Sequence, residues 1–257
     1  MSDLFKLDGD VAVVTGAGSG IGEGAARLLA EAGARIVCAG RRVEEIERVA
    51  EAIRQDGGQA IAVKTDVTVD EDVERLMQSA VDNFGQLDIL VNNAGGSPIQ
   101  APLVDLPREE WDATLALNLT AVWNCTRVAS RHMGHGSRVV NVSSIAARSI
   151  VPGSGHYSAA KRGVNSLTES FAKELGPRIR VNCVMPGFVP TEIAMKALRL
   201  SDADLPRVEQ AMNLPCGRLG TPTDLGAAIL YFVSPAAEWV SGESIGISGG
   251  LFPAASM

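Results

Sequence analysis

The sequence predicts an α/β fold, a single domain with a doubly wound, seven-stranded parallel sheet and helices on both faces. Seven short apolar runs alternate with stretches in which apolar residues recur at helical spacing, the pattern typical of a sheet wound by crossover helices. Most runs are continuously apolar, as expected for parallel strands covered on both faces. With 257 residues and 46% hydrophobic content, the chain can bury a substantial core.

The elements follow one another in a regular order. The predicted strands are 11–15, 36–40, 60–64, 87–92, 138–142, 181–184 and 244–247. Two helices between them are indicated by apolar residues at helical spacing, namely Val43, Ile46, Val49 and Ile53, and then Val73, Leu76, Met77, Ala80, Val81 and Phe84. Two long helical segments, 108–133 and 155–176, follow the fourth strand. No internal repeat, low-complexity segment or linker is visible, so one domain is expected over 1–257.

A glycine-rich turn stands between the first predicted strand and an alanine-rich helical stretch. It reads Thr15-Gly16-Ala17-Gly18-Ser19-Gly20-Ile21-Gly22. Glycines let the backbone turn tightly and approach a pyrophosphate, which the N–H groups and positive dipole end of the following helix attract. The alternative is a loop whose glycines serve only the turn, but the strand before it and the helix after it favour dinucleotide binding. The predicted contacts are Gly16, Ser19, Gly20, Ile21 and Gly22.

Tyr157 and Lys161 form the most informative pair in the chain. Positions i and i+4 share one face of a helix, so the ammonium group can lie close to the phenol. A neighbouring cation favours the phenolate and lowers the tyrosine pKa, which makes the phenol a useful acid or base near neutral pH. This spacing also arises by chance, so its significance depends on the other motifs, including Ser144 thirteen residues upstream. A serine in that position could otherwise be an ordinary turn hydroxyl.

The end of the second strand indicates which dinucleotide is bound. Folds that use NAD usually place an acidic residue there to bind the ribose hydroxyls, whereas this chain has Gly40-Arg41-Arg42. Guanidinium groups pair well with a 2′-phosphate. NADP(H) is therefore the predicted cofactor, with Arg41 the first choice and Arg42 the second, and NAD(H) the other candidate. The alternative is that both arginines only solvate the start of the next helix.

Composition excludes several other classes. The net charge is −7, the sequence pI is near 5.1 and no basic run is present, which argues against a nucleic-acid partner. No apolar stretch approaches the ~20 residues that span a bilayer, and the first residues do not resemble a signal peptide. The cysteines lack metal-ligand spacing and indicate a reducing compartment; they are Cys38, Cys125, Cys183 and Cys216. The sequence thus predicts a cytoplasmic protein with no metal site.

Taken together, these motifs resemble the short-chain dehydrogenase/reductase family, a group with Rossmann folds, over nearly the whole chain. The glycine turn matches its cofactor motif, and Asn92-Asn93-Ala94-Gly95 follows the fourth strand as in the family. Four residues match its catalytic tetrad in order and spacing: Asn118, Ser144, Tyr157 and Lys161. Further matches are Pro186-Gly187, 220–225 and 241–250.

The resemblance implies a role for each of these residues. Tyr157 would be the acid/base, and Ser144 would hydrogen-bond the substrate oxygen. Lys161 would lower the Tyr157 pKa and bind the ribose of the nicotinamide, and Asn118 would hold a water that links Lys161 to solvent. Its apolar neighbours also suggest that the Asn118 amide serves a buried network. Further cofactor contacts implied by the family are Asp66, Val67, Asn93, Ala94, Gly95, Pro186, Gly187, Val189 and Thr191.

The implied activity is hydride transfer between NADP(H) and a secondary alcohol or ketone, on an apolar substrate such as a hydroxysteroid. The alternatives are a 3-oxoacyl-thioester reductase and, from a different class, a non-catalytic nucleotide-binding regulator. A variable substrate lid is expected at about 188–216. Its apolar residues would line the substrate pocket, with His156 and the loop 145–154 beside it, or else pack the lid's own helices; they are Phe188, Ile193, Met195, Leu198, Leu200 and Leu214. The family resemblance also implies a homotetramer, with the apolar tail 249–253 covered by a partner subunit.

Overall fold

The computed structural model describes residues 3–96, 99–149 and 152–251. Its centre is a seven-stranded parallel sheet, and the strand order β3-β2-β1-β4-β5-β6-β7 places the crossover between β1 and β4. The strands are β1 Val11–Thr15, β2 Arg35–Gly40, β3 Ala60–Lys64, β4 Leu87–Asn92, β5 Met133–Val142, β6 Ile179–Pro186 and β7 Ser244–Ile247. This confirms the predicted fold class. The chain after residue 251 in the predicted apolar tail lies outside the described residues.

Nine α-helices are described in these ranges. They are α1 Gly20–Glu31, α2 Val43–Gln55, α3 Asp70–Phe84, α4 Arg108–Leu115, α5 Ala121–Ala129, α6 Gly155–Leu175, α7 Glu192–Leu198, α8 Leu205–Met212 and α9 Pro222–Val233. Between α4 and α5 the backbone forms a π-helical turn, Ala116–Thr120. None of the helices in the described part of the chain is both long and apolar enough to traverse a lipid bilayer.

Both faces of the sheet are covered, which explains the continuous apolar runs. Neighbouring residues of β1 point in opposite directions: Val14 belongs to one buried cluster, and Val13 to the other. The first cluster contains α1, α2 and α9 side chains such as Leu29. The second contains α3, α5 and α6 side chains such as Leu76 and Phe171. Because each strand must be apolar on both sides, period-two alternation is absent.

Two predicted elements differ from the structure by more than two residues. The segment 108–133 is not one helix: the π-helical turn interrupts it, α5 ends at Ala129, and Met133 already belongs to β5. Strand β5 therefore begins five residues before the predicted start at 138. Its first half is polar and exposed around two glycines, Gly134 and Gly136, so it gives no hydrophobic signal.

Candidate active site

A cleft of about 500 Å³ lies at the carboxyl edge of the sheet, where loops from successive strands meet. Parallel strands place their carboxyl ends at one edge, and the crossover between β1 and β4 opens a crevice there. Eighteen of the twenty predicted site residues line this cleft; Gly22 and Asn118 lie just behind its wall. The structure thus brings together residues that are up to 175 positions apart, from Gly16 to Thr191.

The glycine turn is fastened to the loop after β4. Thr15 Oγ1 accepts hydrogen bonds from the backbone N–H groups of Asn93 and Ala94, each at 3.0 Å. Asn93 Nδ2 donates to the Thr15 carbonyl at 2.9 Å. A Cβ on Gly22 would overlap the Gly16 carbonyl oxygen, so Gly22 is required for the close packing of turn and helix.

Gly16 and Gly20 adopt conformations that favour glycine, with φ of 66° and 56°. A Cβ on Gly20 would lie 2.8 Å from Thr191 Cγ2, so the lid comes close to the turn at this point. Helix α1 begins at Gly20, and its first residues, whose N–H groups have no partner within the helix, line the cleft. This cradle of glycines and helix N–H groups suits the pyrophosphate of a dinucleotide.

Ser144, Tyr157 and Lys161 meet at the other end of the cleft. Ser144 stands at the end of β5 and accepts a hydrogen bond from the Ala146 backbone N–H at 3.1 Å. Its side chain is hydrogen-bonded to the Tyr157 phenol. The Lys161 ammonium is buried, lies 5.6 Å from the centre of the Tyr157 ring and donates to the Val142 carbonyl at 2.8 Å.

Burial determines the pKa directions of this pair. It raises the pKa of the Tyr157 phenol, and the hydrogen bond with Ser144 only partly opposes this. It lowers the pKa of the Lys161 ammonium to about 8. In the chain alone, desolvation of the phenol sets the direction of the Tyr157 pKa, which is opposite to the direction predicted from the sequence. The prediction that Lys161 lowers this pKa stays a prediction.

Asn118 occupies the π-helical turn and is fully buried. Its Oδ1 accepts from the Gly96 N–H at 2.9 Å, while Nδ2 donates to the carbonyls of Gly96 at 2.9 Å and Thr114 at 3.1 Å. The amide thus serves a buried network, as its apolar neighbours predicted. A Cβ on Gly95 would lie 2.8 Å from Asn118 Oδ1 and 3.2 Å from Lys161 Nζ, so Asn118 fixes the loop against which Lys161 packs.

The two arginines after β2 differ in their surroundings. Both are exposed and line the cleft. Arg42 donates to Glu192 and to Ser19, whereas Arg41 has no hydrogen bond or ion pair with any residue that the structure describes. Gly40 leaves no acidic group at the strand end. Two guanidinium groups beside a cleft without that carboxylate suit a 2′-phosphate.

Of the six apolar lid residues predicted either to line the pocket or to pack the lid, three line the cleft. Phe188, Ile193 and Leu198 line the cleft, while the remaining apolar lid residues do not; these are Met195, Leu200 and Leu214. His156 was predicted to border the pocket, but it is fully buried and does not line it. Burial lowers the pKa of its imidazole. The loop 145–154 contributes Ile145 and Ser154; residues 150 and 151 lie outside the described residues.

Sequence reasoning missed several cleft residues. Thr65 and Gln100 line it without belonging to a recognisable motif. Glu192 does not line the cleft but binds Arg42, which does. It was missed as well, since the two residues lie 150 positions apart and no local pattern links them. Within the described residues, no cluster of three His, Cys, Asp or Glu side chains could hold a metal ion.

Comparisons with known proteins place this geometry in context. A family model described as "Enoyl-(Acyl carrier protein) reductase" matches residues 16–252. The chain is 43% identical to cis-4-hydroxycyclohexanecarboxylate dehydrogenase of Sinomonas cyclohexanicum over 247 residues, which cover 93% of this chain and 95% of the relative. It is 34% identical to the 3-oxoacyl-[acyl-carrier-protein] reductase of Thermotoga maritima over 250 residues, covering 96% and 99%.

A solved structure shows the same architecture. The structure is described as 7α-hydroxysteroid dehydrogenase complexed with NADH and 7-oxo glycochenodeoxycholic acid. It superposes with a TM-score of 0.89 at 34% identity, covering 97% of each chain. The chain thus shares the fold of that dehydrogenase.

Proposed function

The chain belongs to the short-chain dehydrogenase/reductase family and is an oxidoreductase that acts on CH–OH and C=O groups; from this premise we propose that it transfers a hydride between NADP(H) and a secondary alcohol or ketone of an apolar substrate. One observation carries the proposal: Tyr157, Ser144 and the exposed Arg41 line a single cleft. A phenol for proton transfer and a cation for phosphate binding then serve the two ends of one bound dinucleotide.

The chain's own groups would handle the proton while the nicotinamide, when bound, supplies or accepts the hydride. A tyrosine with the ordinary pKa of about 10 carries its proton at neutral pH, so Tyr157 would donate that proton to the carbonyl oxygen during reduction. Ser144 would donate a hydrogen bond to the same oxygen and stabilise its developing charge. Lys161, charged below pH 8, would bind the ribose hydroxyls and assist return of a proton to Tyr157.

Asn118 would support this site from behind. Its three hydrogen bonds leave the side-chain amide engaged with protein backbone, which favours a positioning role for the side chain. The implied role in holding a water that links Lys161 to solvent remains a prediction.

NADP(H) is the proposed cofactor, with NAD(H) as the other candidate. Support comes from Arg41, whose guanidinium has no partner among the described residues, and from Gly40 in place of an acidic residue. The 7α-hydroxysteroid dehydrogenase structure is described as complexed with NADH, so family membership alone does not decide the preference. Substitution of Arg41 therefore tests the preference for NADP(H) over NAD(H).

The proposed substrate is an apolar ring ketone or alcohol, such as a hydroxysteroid. Phe188, Ile193 and Leu198 are apolar residues that line the same cleft as Tyr157, with Gln100 as a polar group. Two relatives are named for substrates with a ring hydroxyl or oxo group, a cyclohexanecarboxylate and a bile acid. The second candidate activity is reduction of a 3-oxoacyl thioester, favoured by the similarity to the Thermotoga reductase.

A homotetramer in the cytoplasm is the proposed state. Family members commonly assemble through the helices that flank the site. Here the outer faces of α5 and α6 form a shallow groove around Trp123, which is 43% exposed, with Leu119 and Leu167 beside it. The four cysteines are unpaired, which supports a reducing compartment.

A spectrophotometric screen would test the function. NADPH and NADH oxidation would be followed side by side with ring ketones, open-chain ketones and 3-oxoacyl thioesters. We expect turnover of ring ketones with NADPH preferred. Arg41→Ala should raise KM for NADPH about tenfold, the loss of one charge-assisted phosphate contact, and leave KM for NADH unchanged. Binding of a nucleotide without oxidation of either cofactor on any ketone would instead support the regulator.

A further inference from the structure

A charged bridge ties the end of β2 to the lid beside the cleft. Arg42 Nη1 donates to Glu192 Oε2 at 2.9 Å, and Nη2 donates to Ser19 Oγ at 3.1 Å. Ser19 directly precedes α1, Arg42 directly precedes α2, and Glu192 is the first residue of α7. One guanidinium therefore joins the starts of three helices.

The bridge makes the two neighbouring arginines unequal. Arg41 has no partner among the described residues, while the charge of Arg42 is neutralised by Glu192. Side chains of the bridge are 51% exposed at Arg42 and 63% exposed at Glu192. A pair this accessible is weak, so a stronger anion that enters the cleft can compete for the guanidinium.

A phosphate monoester is such an anion. It carries between about −1.5 and −2 charges at pH 7, and it accepts paired hydrogen bonds from a guanidinium. If it pairs with Arg42, it must first displace Glu192 from the guanidinium. The carboxylate thus opposes binding of a 2′-phosphate by occupying Arg42.

We propose that Glu192 is a specificity-determining residue that acts through Arg42 and limits the preference for the 2′-phosphorylated cofactor. The inference rests on the proposed use of NADP(H). The linkage is reciprocal: a phosphate that takes Arg42 away from Glu192 also releases the first turn of α7 from the glycine turn. The contacts of the lid that covers the substrate then depend on which cofactor is bound.

The test compares Glu192→Gln with the wild type in calorimetric titrations of 2′,5′-ADP and 5′-AMP, which differ only in the 2′-phosphate. We expect the variant to bind 2′,5′-ADP about two- to fivefold more tightly, because the phosphate no longer has to displace an exposed ion pair from Arg42, with 5′-AMP unchanged. Glu74→Gln is the matched control, because Glu74 pairs with Arg131 at the same 2.9 Å and similar exposure. It should change neither titration.

The double variant Arg42→Met/Glu192→Gln tests the route of the effect. Compared with Arg42→Met alone, it should show no gain, because Glu192 acts through the guanidinium. Hydrogen exchange of the wild type gives a second readout: amides of α7 should exchange faster with 2′,5′-ADP than with 5′-AMP.

The results separate this inference from the proposed cofactor. The wild-type ratio of the two affinities reports the NADP(H) preference, whereas the change of that ratio in Glu192→Gln reports the role of Glu192. An unchanged ratio in the variant, a gain that persists without Arg42, or equal exchange of α7 with both nucleotides would each overturn the inference.

Discussion

Replacing Asn118 with alanine tests whether its amide anchors the loop against which Lys161 packs. The substitution removes three hydrogen bonds, two with Gly96 and one with Thr114. At about 1 kcal/mol for each bond, the free energy of unfolding should fall by about 3 kcal/mol. For a chain of this size, that corresponds to a Tm lower by about 6–12 °C.

Catalysis should fall together with stability. Gly95 lies between Asn118 and Lys161, so a relaxed loop lets the ammonium group move. A displacement of about 1 Å in a catalytic group costs on the order of 100-fold in rate. We therefore expect kcat/KM to fall about 100-fold, measured by NADPH oxidation, with stability measured by urea unfolding at one protein concentration.

Asn92→Ala is the matched control. Asn92 is also a buried amide at the carboxyl end of the sheet, and it donates to Thr126 Oγ1 at 3.0 Å and Asn141 Oδ1 at 2.9 Å. Its loss should cost about 2 kcal/mol of stability with little change in kcat. If Asn118→Ala instead lost its activity while keeping wild-type stability, the anchoring role would be refuted and the water-binding role favoured.

Three further predictions concern the phenol, the ammonium and the glycine turn. Tyr157→Phe should abolish turnover while NADPH binding, followed by its fluorescence, stays nearly unchanged; substantial activity would exclude the acid/base role. The reductive kcat/KM should be level below pH 8 and fall tenfold per unit above it, because the Lys161 ammonium, with its pKa near 8, loses its proton there; a level profile up to pH 10 would contradict this. Gly22→Ala should destabilise the fold by more than about 2 kcal/mol in urea unfolding and abolish nucleotide binding, since its Cβ overlaps the Gly16 carbonyl. Gly134→Ala, with nothing within 4 Å of its Cβ, should stay within about 0.5 kcal/mol of the wild type.

Much of the sheet could be predicted from local hydrophobicity. The predicted limits of β1, β3, β4 and β7 agree with the structure, because each is a run of apolar residues between turn residues. The start of β5 was missed, since its exposed first half pairs through backbone atoms that have no sequence signal. The π-helical turn was missed for a similar reason: an extra residue in a helical turn changes hydrogen bonding without changing composition.

The site was only partly predictable. Motif spacing predicted that Ser144, Tyr157 and Lys161 lie together. This was possible because spacing on a helix and position at a strand end are local properties of the sequence. The direction of the Tyr157 pKa was wrong, because burial depends on the whole fold around the phenol. The pair of Arg42 with Glu192 is equally invisible in sequence, since it depends on how the lid folds back over the glycine turn.

The π-helical turn at Ala116–Thr120 makes this stretch sensitive to its length. One residue of an α-helix accounts for a rotation of roughly 100°. Deleting a single residue from the turn would restore regular α-helical geometry. It would also rotate the residues on one side of the deletion relative to those on the other, so that the Asn118 amide would move away from Gly96. Substitutions on the outer surface of α4 and α5 do not change this rotational position of Asn118. Among homologues, we therefore expect sequence to drift here while the number of residues between α4 and α5 stays fixed.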